Sequence, residues 1–345
     1  MSTSGKTIET VIPDTATLPK IIPRRRSDLT PNNIIRILVY LLSFTIIVAH
    51  LYYSYENPLP RSEFANIHLG LLIGLYYLQD IDFEAETWRE HYNNLIDLTF
   101  LASITVGSVY VYFNFDRWLN EGRMLLYNQV DVAIAVLLIL TAIHATWRAF
   151  GRALAFVIFG SLLFGYLGPH IPRDFAEGVF YHSGLSIERL IATNAISLNG
   201  VYSPLLGIGA TWVAIFVFFA GIMEAYGGMN YIVRIGKRAR GLISSGVMQT
   251  AVVSSMLMGS ISGAAAANVA TTGSFTIPLM KGEGVDSKYA ASIESIASTG
   301  GQILPPVMGS ASFIMADILG ISYFNVIVAA ALPAIAFYTT VAVIV

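Results

Sequence analysis

Seven stretches of this 345-residue chain are apolar over about 15 to 23 residues each: 33–55, 64–78, 95–115, 129–147, 153–167, 204–226 and 321–343. A helix of about 20 residues crosses a hydrocarbon core near 30 Å thick. Backbone groups in lipid must also bond within their own segment or a closed barrel, which makes helices the economical solution. The fold class expected is therefore an all-α integral membrane protein, a polytopic helical bundle. Composition agrees, with 55% hydrophobic and 12% charged residues and a mean hydropathy of +0.63, against roughly 25% charged residues in soluble domains. No Lys/Arg cluster is interleaved with aromatics, so no nucleic-acid partner is expected. The absence of cysteine excludes disulfides and thiolate metal sites.

The first 30 residues are polar, carry the basic knot Arg24-Arg25-Arg26, and lack the short apolar core of a cleaved signal peptide. They are expected to form a disordered tail. Residues 31–150 then hold four spans, the second with Gly70 and Gly74 in a GxxxG spacing that allows close helix packing. Residues 80–92 read as a helix lying along the surface. Asp97 and Asp131 sit near the starts of their spans, where acids usually face headgroups or water. Residues 169–200 read as a long amphipathic connection.

Topology follows from the basic residues. With a cytoplasmic N-terminus, fifteen Lys and Arg fall on inner segments, and five (Arg61, Arg117, Arg123, Arg173, Arg189) on outer ones. That asymmetry predicts a multi-pass protein with its N-terminus in the cytoplasm. Both flanks of 244–280 are basic, at Lys237, Arg238 and Arg240 and at Lys281 and Lys288, while its middle is a run of small residues. A single crossing would carry Lys281 and Lys288 outside. A re-entrant helical hairpin opening from the cytoplasm fits the charge pattern better.

The hairpin is expected to have arms at 247–258 and 270–279 around a tip of small residues, 259–268. A second interruption follows at Ser298-Thr299-Gly300-Gly301-Gln302 and ends in Pro305-Pro306. Helix breaks at membrane depth are tolerated where they are buried in protein or line a watery site. The ligands on offer are neutral oxygens: Ser260, Ser262, Asn268, Thr271 and Thr272 at the first break, and Ser298, Thr299 and Gln302 with the Gly300-Gly301 backbone at the second. Oxygen donors without sulfur suit a hard cation, and interrupted helices with unwound carbonyls hold sodium in transporters. Free N–H groups at helix starts suit an anion. Small residues and hydroxyls also serve plain helix packing. Glu294, one turn before the second break, is a possible coupling acid, able to carry a proton or pair with a cation, or else an acid at headgroup level.

Enzymatic chemistry is not expected. Gly259-Ser260-Ile261-Ser262-Gly263 has isoleucine where a nucleophile elbow needs serine. There is no H-E-x-x-H, and the six histidines lie outside the central stretch. An intramembrane enzyme using Ser262 is the remoter alternative, and a non-transporting membrane scaffold another.

The run from Met258 to Lys281, MGSISGAAAANVATTGSFTIPLMK, and that from Ser292 to Gly309, SIESIASTGGQILPPVMG, resemble the large membrane subunit of TRAP (tripartite ATP-independent periplasmic) transporters. The likeness is nearest to fused permeases that work with TAXI-type binding proteins. It implies an elevator-type, sodium-driven secondary importer of organic anions of carboxylate type in the plasma (inner) membrane, supplied by an extracytoplasmic substrate-binding protein. Under it, 31–150 corresponds to a fused small (Q-type) subunit and 151–345 to the first half of the large (M-type) subunit, with the first inverted repeat only. The second repeat is expected as a further part, in cis or as a separate chain. The implied sodium contacts are Ser260, Asn268, Ser298 and Thr299. Where relatives often carry a further serine at the tip, this chain has alanines, Ala264 to Ala267.

Overall fold

The computed structural model describes residues 30–119, 127–198, 200–228, 231 and 246–345. The expected tail up to residue 29, the basic run 234–240 and the first two residues of the expected hairpin lie outside the described residues. Among the described residues every regular element is a helix. Six of them are long and apolar enough to cross a membrane.

Helix α1 (Pro31–Glu56) starts at Thr30, whose hydroxyl accepts the Asn33 N–H at 3.3 Å, with proline at the first position where no N–H is missed. It ends on Asn57 in the left-handed conformation. α2 (Arg61–Leu78) returns beside it and turns its polar residues inward. Asn66 donates to the Ser108 carbonyl at 2.9 Å, and the rings of His50 and His68 meet at 2.7 Å. The GxxxG faces α3 (Trp88–Leu119): a Cβ on Gly70 would lie 2.6 Å from Ser108 Oγ.

Residues 79–87 form no helix, contrary to expectation. Asp82 takes the Glu84 N–H at 2.9 Å, an Asx turn that competes with helix. The helix opens instead on a capping box, with the Glu90 N–H on Thr87 Oγ1 at 3.3 Å and the Thr87 N–H on the Glu90 carboxyl at 3.0 Å.

α4 (Gln129–Phe150) is clipped to α3 at both ends. Asp131 caps its own helix through Asn128, accepts from Tyr110 Oη at 2.8 Å and pairs with Arg117. At the other end Arg148 pairs with Asp97 and, at 2.9 Å, with Asp80. Asp97 and Asp131 are thus buried partners of arginines rather than acids facing headgroups or water. Burial is tolerable because each carboxyl meets a guanidinium.

α5 (Arg152–Leu167) leads into the connection, where α6 (Ile187–Ala195) packs along α4. Ala192, Ala195 and Tyr202 enter the core formed by Val111, Phe115, Ile134 and Leu138. The next span is α7 (Pro204–Ile208), one π turn (Gly209–Val213) and α8 (Ala214–Ala225).

α9 (Gly246–Ser262) and α10 (Ala265–Gly282) are antiparallel. Ser255 of α9 reaches both Asn268 and Thr272 of α10 across the turn. Only Gly263 and Ala264 lie between the helices, so the expected ten-residue tip is almost wholly helical. Gly263 makes this possible by adopting φ 62°. α11 (Ser287–Gly300) packs against both arms, and after 301–309 come α12 (Ser310–Leu319) and α13 (Tyr323–Ile344). Ala251, Met280, Ala290, Ala297 and Tyr338 share one apolar core that joins hairpin, α11 and α13.

Candidate functional site

The two breaks foreseen from the sequence cross each other. Gly259, near the end of α9, lies directly against Gly301, just past the end of α11. A Cβ on Gly259 would stand 2.6 Å from the Gly301 Cα, so only two glycines permit the approach. The Val307 N–H donates to the Ser260 carbonyl at 3.1 Å, and the Gly309 N–H to the Gln302 carbonyl at 2.7 Å. Gly263 is closed in by the Met308 carbonyl. Chain 301–309 therefore drapes over the hairpin turn.

Four helix ends converge at this crossing. α9 and α11 finish there, while α10 and α12 begin there. Neither beginning carries a side-chain cap, since Ala264 and Gly309 have none to offer. Helix C-termini present partial negative charge and N-termini partial positive charge. The crossing can thus hold a cation by carbonyl and hydroxyl oxygens and an anionic group by N–H donors, without a formal charge of its own.

Asn268 braces the turn from inside. Wholly buried, it donates to the Ser255 carbonyl at 2.8 Å, and its amide nitrogen would lie 3.0 Å from a Cβ on Gly259. Ser260 is buried with its hydroxyl on the Leu257 carbonyl at 2.8 Å. Ser262 Oγ is buried without any hydrogen-bond partner. An orphaned buried hydroxyl is uncommon and costs about 1–3 kcal/mol unless something completes it. An oxygen-liganded ion beside the α9 terminus would do so.

A second group of polar residues lies one turn deeper. The Glu294 carboxyl, wholly buried, receives the hydroxyls of Ser255 at 2.7 Å, Thr272 at 2.5 Å, Thr276 at 2.5 Å and Ser298 at 2.9 Å. Among the described residues no basic side chain pairs with it. Burial removes the headgroup-level alternative for this acid.

Of the residues singled out from the sequence, Ser260, Ser262, Asn268, Gly300 and Gly301 gather at or beside the crossing. Thr272 and Ser298 belong to the Glu294 group instead. Thr271 and Thr299 hold their hydroxyls on their own helices, on the Ala267 and Ser295 carbonyls at 2.7 Å each, and the Gln302 side chain is exposed. Ser255 and Thr276 were not foreseen; their spacing from Asn268, Thr272 and Glu294 is apparent only when three helices are placed together. The described residues contain no cluster of three or more His, Cys, Asp or Glu that could hold a metal ion.

A family model described as the tripartite ATP-independent periplasmic transporter, DctM component, matches residues 132–345. This chain belongs to the DctM family. It is accordingly a membrane permease component of a TRAP transporter, and the matched region contains both breaks and their crossing. The match begins within α4. No curated protein and no solved structure matched the chain.

Proposed function

We propose that this DctM-family chain is the permease part of a sodium-coupled importer of organic anions, with a small-subunit-like region over 31–150 and an M-type region over 151–345. The convergence of four helix ends where Gly259 meets Gly301 carries this reading. Carbonyls at the ends of α9 and α11, with Ser260, Ser262 and the Asn268 side chain nearby, form a sodium site of neutral oxygens. The uncapped starts of α10 and α12 receive the carboxylate of the solute. A TAXI-type extracytoplasmic binding protein delivers the solute. A second inverted repeat, in cis or as a separate chain, closes the site from the face that carries Thr271 and Thr299. The hairpin and α11, sharing one core, move together between the two sides of the membrane.

The test is uptake of a candidate organic acid into proteoliposomes holding the full chain, its binding protein and any companion membrane chain. An inward sodium gradient is expected to drive accumulation, with choline as the control. Accumulation that follows a proton gradient alone, with no response to sodium, would replace sodium as the coupling ion. Assembly with the companion subunits without any solute movement would favour a scaffold role.

A further inference from the structure

We infer that Glu294 is a positioning residue: its carboxyl rivets α9, α10 and α11 together through four hydroxyls and so sets the crossing of the two breaks, rather than carrying an ion. The inference rests on the reading of that crossing as the sodium site.

The contacts argue for a rivet. Glu294 stands on α11, Ser255 on α9, Thr272 and Thr276 on α10, and Ser298 one turn further along α11, two residues before Gly300. One acid thus ties both arms of the hairpin to the helix whose end forms half the crossing. The fit is close, since a Cβ on Gly273 would lie 3.1 Å from Glu294 Cγ. The oxygens meet at 2.5–2.9 Å, a spacing bridged by a hydrogen. A hard cation with ligands at about 2.3–2.6 Å would hold them further apart.

Hydrogen counting yields a sharp test. Oε1 accepts three hydroxyls, while Oε2 meets only Thr276. Glutamine could place its amide nitrogen at the Oε2 position and donate to Thr276. Thr276 would then pass its own hydrogen to the Thr272 carbonyl, 3.0 Å away. Glutamine therefore keeps every tie and abolishes the charge. Leucine keeps the bulk and removes the ties. In the leucine variant Thr272 falls back on the Asn268 carbonyl at 2.8 Å and Thr276 on that of Thr272, so α10 itself remains satisfied and folding is expected to survive.

The experiment uses two readouts in the full chain. The first is the rate of disulfide formation in a Ser260→Cys, Val307→Cys background, which reports whether the crossing is held and needs no transport. The chain's lack of cysteine makes this pair the only thiols. The second is the sodium concentration for half-maximal uptake, measured without those cysteines. Glu294→Gln is expected to stay within about twofold of the parent in both. Glu294→Leu is expected to slow cross-linking about tenfold and to raise half-saturation about tenfold, the loss of one or two net hydrogen bonds, with a smaller effect on maximal rate. If the leucine variant does not accumulate, Ser255→Ala and Thr276→Val, each removing one tie, are expected to move both readouts part of the way; no change in either would refute the rivet. Uptake abolished in Glu294→Gln with cross-linking intact would show that the charge itself does the work and overturn the inference. So would a leucine variant indistinguishable from the parent. If the parent shows no sodium dependence, the functional reading fails, and the cross-linking arm still decides the positioning role.

Discussion

Gly259 and Gly301 meet backbone to backbone, with no room for a methyl group on Gly259, whose Cβ would stand 2.6 Å from the Gly301 Cα. The neighbour is main chain and cannot rotate away. Gly259→Ala is expected to destabilise the protein by about 1–3 kcal/mol, the range for overpacking, and to abolish uptake. Gly282→Ala, with nothing within 4 Å of the added carbon, is the control and should be neutral. Thermal unfolding and uptake measured on both variants check the pair; a Gly259→Ala protein that transports normally would mean that the crossing is looser than described.

Arg148 serves two acids in unequal surroundings. Its partner Asp97 is buried, while Asp80 has 41% of its side chain exposed. Removing one partner of a buried pair costs about 3–5 kcal/mol, whereas an exposed pair contributes about 1 kcal/mol or less. Asp97→Ala should therefore lower thermal stability markedly and Asp80→Ala barely. Equal effects would contradict the burial difference.

That same residue shows where sequence reasoning stops. Asp97 and Arg148 are 51 positions apart, and nothing local to Asp97 distinguishes a buried, paired acid from one near headgroups. Six of the seven expected spans, the hairpin and the two breaks were legible because hydropathy, basic flanks and glycine-proline punctuation are local signals; the span expected at 64–78 lies in α2, which is not among the six helices long and apolar enough to cross. The extent of the tip was not: 259–268 reads as loop from its small residues, yet alanine is a good helix former and two residues suffice to reverse the chain. Ser255 lay inside an arm read as apolar, because a single hydroxyl in a helix usually bonds its own backbone. Its partner Glu294 arrives from a third helix.

The basic-residue asymmetry predicts a cytoplasmic N-terminus, and labelling tests it. With no native cysteine, Ser27→Cys and Asp174→Cys can be labelled singly in intact cells with an impermeant maleimide. Asp174→Cys is expected to react from outside and Ser27→Cys only after permeabilisation. The reverse pattern would invert the topology.

Asn268 holds the hairpin turn by donating to a carbonyl, which a carboxyl in ionised form cannot do. Asn268→Asp is expected to reduce sodium-dependent uptake at least about tenfold while the protein still reaches the membrane, the loss of one hydrogen bond and the facing of two acceptors. Sodium dependence unchanged in this variant would remove Asn268 from the site.

The most direct test of the central claim is the thermal stability of the purified full chain titrated with sodium chloride against choline chloride. An ion that binds the folded state at the crossing stabilises it by about 1.4 kcal/mol at ten times its dissociation constant. The account expects a saturable rise in Tm with sodium, absent with choline and lost in Gly259→Ala. Identical curves in the two salts would contradict a sodium site where the hairpin crosses the broken helix.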